Sequence, residues 1–135
     1  MPKGIPPMPA VKKAHCPVPD AIMMACRKYF AATQPQSPAK GCASLILEGT
    51  ALIADARQDA PKLVDQCRSR YPRFGDEIST HIPASVREQA RHLKRAHTFA
   101  SLQDLYLEAI LKSLTKRGFL GSSLEPASHP ERAGC

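Results

Sequence analysis

The stretch that most constrains the fold is residues 77–114, EISTHIPASVREQARHLKRAHTFASLQDLYLEAILKSL. Ile78, Thr80 and Ile82 alternate with Glu77, Ser79 and His81, and a period of two sends these sets to opposite faces of a strand. One face can enter a core while the other meets a partner. Pro83 fixes its own φ and lacks an N–H, so the strand is predicted to end at Ile82 and a helix to begin. The spacing then changes to Val86, Ala90 and Leu93, the i, i+4, i+7 stripe of an amphipathic helix whose other faces carry Arg87, Arg91, Lys94 and Arg95. After a turn at 97–100, Ser101 is a suitable N-cap for a second helix with Gln103 and Asp104 in its first turn. Leu102, Leu105, Tyr106, Ala109, Ile110 and Leu114 give that helix a wide apolar stripe, and Leu107 and Leu111 carry it nearly all round.

A helix apolar on most sides is normally buried on most sides, which one short hairpin cannot achieve. A lone strand also exposes a row of unpaired backbone donors and acceptors. Antiparallel pairing with the same segment of a second copy cures both defects, so a homodimer is expected, able to assemble further on its ligand. The alternating strand ending in Ile82-Pro83, the amphipathic first helix and SLQDLYLEAI at 101–110 together resemble the ribbon-helix-helix family of DNA-binding proteins, the Arc and MetJ type. The resemblance covers 77–114 only.

In that family a two-stranded ribbon lies in the major groove and the N-terminus of the second helix holds a backbone phosphate. Carried over, Ser79, His81 and Glu77 would read base edges, and Ile78, Thr80, Ile82, Leu105, Tyr106 and Ile110 would form the dimer core. The Ser101 hydroxyl and the amides of Leu102 and Gln103 would hold the phosphate, as free N–H groups at a positive helix end attract anions. Arg87, Arg91 and Lys94 would add phosphate contacts from the first helix. A net charge of +7 and a pI near 9.4 favour such a polyanion.

The rest of the chain reads as additions to this domain. Residues 1–19, Pro-rich with Lys3, Lys12 and Lys13, read as a flexible basic arm. Residues 20–74 read as a helical region, with helices from an Asp20 N-cap to about Ala32, over 43–56 despite Gly49, with a strand at 44–47 as the alternative there, and from Lys62 to about Arg70. The domain proper is 75–117, and Gly118 begins a loose tail, 118–135. The expected class is thus mainly α, a C-terminal ribbon-helix-helix dimerising through its ribbon behind an N-terminal helical extension.

No stretch approaches the roughly 20 apolar residues that cross a bilayer, and the N-terminus has no continuous apolar core, so neither membrane nor secretion is expected. Five cysteines without a CxxC pair fit inert thiols in a reduced cytoplasm. Their spacing, with His15 beside Cys16, does not match a zinc site, and no GxSxG, HExxH or phosphate-loop motif occurs, so no cofactor, metal or enzymatic activity is expected. His92 and His97 read as solvated helix residues. The expected function is a sequence-specific dimeric DNA-binding protein, a repressor or an accessory factor of plasmid partition or mobilisation. The alternative is an all-helical interaction module whose basic surface meets an acidic protein.

Overall fold

The ribbon is closed within one chain. In the computed structural model, which describes residues 11–126, Val11–Val18 is a strand (β1) paired antiparallel with Asp76–Pro83 (β2), so that His15 lies opposite Ser79. Between and after the strands come α1 (Asp20–Thr33), α2 (Pro38–Asp55), α3 (Leu63–Arg70), α4 (Ala84–Ala96) and α5 (Leu102–Lys116). This corrects the expected class: the first strand lies near the start of the chain, and the helices of 20–74 are part of the same body rather than an extension behind a C-terminal dimerisation domain. Of the predicted flexible arm, 11–18 is strand, Pro19 caps α1, and 1–10 lies outside the described residues.

The order is a β-α-α unit written twice. The interval from Pro19 to Pro83 equals that from Gln34 to Thr98 and from Ser37 to Ser101. Each pair does one job: Pro19 and Pro83 precede the first helix of their unit as extended N-cap residues. Gln34 and Thr98 turn the chain with φ of 50° and 55°. Ser37 and Ser101 cap the second helix, their hydroxyls accepting from the amides of Lys40 and Asp104. The pairing of His15 with Ser79 sits at the centre of the pseudo-twofold, because these two residues are separated by that same interval.

The second copy that α5 needs is therefore α2, with β1 at its side. Leu105, Leu107, Ile110, Leu111 and Leu114 are all essentially inaccessible, and burying each side chain contributes roughly 1.5–3 kcal/mol. The residues predicted for a dimer core, Ile78, Thr80, Ile82, Leu105, Tyr106 and Ile110, are buried inside the single chain. Gly49, read from sequence only as a weak point of its helix, has a structural reason: a Cβ there would overlap the backbone of Ala109, so α2 and α5 cross in contact. Thr80 donates to the Ala39 carbonyl at 2.5 Å and fastens β2 to the start of α2.

The units differ by α3, which has no counterpart among the described residues. Its first amides, Leu63 and Val64, donate to the Glu108 carboxylate at 3.0 and 2.8 Å, and Arg68 makes a two-pronged ion pair with Asp104. Burial raises the Glu108 pKa, while the two amides and Lys112 pull it back. Residues 119–126 are not loose: Phe119, Leu120 and Leu124 are buried and Tyr71 donates to the Leu124 carbonyl at 2.9 Å. His97, expected in solvent, is buried. Among the described residues no helix is long and apolar enough to cross a membrane.

Candidate nucleic-acid interface

Strand periodicity divides the ribbon into two faces. Ala14, Cys16, Val18, Ile78, Thr80 and Ile82 point into the core, whereas Lys13, Pro17, Glu77, Ser79 and His81 are exposed, with His15 partly so. Across the ribbon Lys13 faces His81, His15 faces Ser79 and Pro17 faces Glu77. Ser79, His81 and Glu77, the residues predicted to read bases, thus share one accessible face. Lys13 and His15 join them from a segment the sequence reading assigned to a flexible arm. The signal that could have found them is the alternation Ala14, Cys16, Val18 before a proline, which repeats in type the alternation before Pro83.

The helix starts flank this face. Gln103, in the first turn of α5, brings its amide nitrogen to 2.9 Å from His15 Nε2, and the same ring nitrogen is 3.5 Å from the Glu77 carboxylate. A neutral ring accepts from Gln103; a protonated ring donates to Glu77 instead, with the Gln103 amide turned to offer its oxygen. At the other flank Ser37, Ala39 and Lys40 of the α2 start border a cleft with Val11 and His81. The predicted phosphate cradle at the α5 start and the corresponding start of α2 therefore differ. Asp104 would repel an anion at α5 were it not matched by Arg68, whereas α2 carries Lys40 at the corresponding place.

Beside the α5 start, Arg87, Arg91, Lys94 and Arg95 line an open cleft of about 270 Å³ together with Leu102. Among the described residues no carboxylate lines it. Their i, i+4, i+7, i+8 spacing puts all four on one side of α4, next to the stripe of Ala90 and Leu93 that is buried. Arg87 Nε is buried and has no hydrogen-bond partner among the described residues. Of the predicted set, Arg87, Arg91, Lys94 and Leu102 share the cationic cleft, Gln103 lies against the ribbon face, and the Ser101 hydroxyl accepts from the Asp104 amide of its own helix.

The four described thiols, Cys16, Cys26, Cys42 and Cys67, are free and buried. Burial pushes Cys16 up to about 12 and Cys42 and Cys67 up to about 11, so at neutral pH they carry protons and are poor nucleophiles. Among the described residues no group of three or more His, Cys, Asp or Glu side chains is placed to hold a metal ion. The chain matches no family model, no curated protein and no solved structure.

Proposed function

We propose that this protein binds double-stranded DNA, setting the outward face of the β1–β2 ribbon in the major groove, in a regulatory or accessory role on DNA. The observation that supports this most is the shared accessible face of Lys13, His15, Ser79 and His81, bordered by two helix N-termini and by the four-cation cleft of α4. A two-stranded ribbon fits the major groove, where side chains on its outer face meet base-edge donors and acceptors. Helix N-termini and the guanidinium groups meet phosphates, which fix the register but carry no sequence information. One chain supplies both strands, so a single protomer presents a complete reading face. The protonated, buried thiols suit a cytoplasmic protein.

Binding to a pool of random duplexes, followed by gel shift over a range of salt, tests this directly. Affinity should fall steeply with salt, because each neutralised phosphate releases counterions and sets the log-log slope. Arg91→Ala and Lys94→Ala should each lower that slope by about one contact. Binding that is unchanged from low to physiological salt would mean that the basic charge serves another partner, such as an acidic protein.

A further inference from the structure

We infer that the duplex taken by this ribbon is non-palindromic and is bound in one orientation, an inference that rests on the DNA-binding reading above. In a ribbon made from two identical chains, each residue on the outer face recurs across the twofold, and the half-sites it reads are identical. Here the symmetry of the backbone is retained while the side chains on the reading face are not. The pseudo-twofold relates His15 to Ser79, Lys13 to Glu77 and Pro17 to His81. Because Lys13 lies opposite His81 and Pro17 opposite Glu77, one end of the ribbon carries a cation and an imidazole. The other end carries a carboxylate and a proline. A lysine ammonium favours the guanine O6 and N7 acceptors, and a carboxylate favours the cytosine N4 donor, so the two ends ask for different base-edge patterns.

The flanks differ in the same sense. Arg87, Arg91, Lys94 and Arg95 of α4 correspond, through the interval that separates Pro19 from Pro83, to Met23, Arg27, Phe30 and Ala31 of α1. The second unit thus offers four cations beside its helix start where the first offers one. At the helix starts themselves the order is reversed, with Lys40 on α2 against the Arg68–Asp104 pair on α5. At the Glu77 end, His15 Nε2 lies within reach of both the Glu77 carboxylate and the Gln103 amide. The fusion of two β-α-α units into one chain is what lets the halves diverge, since a change in one no longer repeats in the other.

Selection of bound duplexes from a random library by the intact protein, followed by sequencing, decides the point. A motif without inverted symmetry is expected. Lys13→Ala should relax base preference about tenfold at one end of it, and Glu77→Ala should relax it at the opposite end. Both side chains are exposed, so circular dichroism should be unchanged in either variant. An enriched inverted repeat, or two variants that relax the same positions symmetrically, would overturn the inference and leave DNA binding standing. A pool in which no duplex is retained would instead overturn the DNA-binding reading, and this inference with it.

Discussion

His97, at the end of α4, is a buried imidazole, and its pKa is held down first by that burial and then by the ammonium groups of Lys62 and Lys112. The folded state therefore favours the neutral ring, and the unfolded chain binds the proton more readily. Stability supplied by the neutral ring is complete above the unfolded pKa, about 6.5. It is lost as the pH falls from there toward the lower folded value. Denaturant melts between pH 8 and pH 5.5 should show a decline that His97→Gln flattens. An equal decline in the variant would assign the pH dependence to another group. Glu108, whose carboxyl is raised by burial, acts in the opposite sense at lower pH, gaining rather than losing stability as it protonates. The sequence spacing that put His97 in a turn did not reveal this, because its surroundings include Ile53 and residues of the segment between α2 and α3, far along the chain.

At the scale of elements, α2 and α5 meet backbone to backbone at Gly49 and Ala109. Gly49→Ala would raise intrinsic helix propensity by up to about 1 kcal/mol, yet it must push the helices apart. Overpacking of this kind typically costs 1–3 kcal/mol, so a net loss of stability is expected in urea unfolding. A gain would mean that the helices do not meet there. The second β-α-α unit was legible in the sequence because its strand alternates β-branched and polar residues, its helix stripe is regular, and Ser101 caps as its chemistry requires. The first strand was not. Its inward residues Ala14 and Cys16 are small, Lys12 and Lys13 raise its polarity, and Pro17 argues against a central strand. In a ribbon of only two strands both are edges, and a proline is tolerated where its missing N–H would face solvent.

At the scale of the whole molecule, the expected second copy was inferred from a real need, the all-round apolar surface of α5, but the chain meets that need itself through α2 and β1. The duplication was hidden because few side chains persist between the units; what persists are positions with a backbone duty, the prolines, the left-handed turn residues and the capping serines. The exposed face of the ribbon follows from that arrangement, since it joins residues of β1 and β2 that lie far apart in the sequence. Amide chemical shifts of the labelled protein during titration with a short duplex carrying one selected site test this most directly. Perturbations should centre on Lys13, His15, Ser79 and His81 of the ribbon and on Leu102 and Gln103, saturating at one chain per duplex. Perturbations centred on α3 with the ribbon unmoved, or saturation only at two chains per duplex, would contradict a single-chain ribbon as the DNA-reading surface.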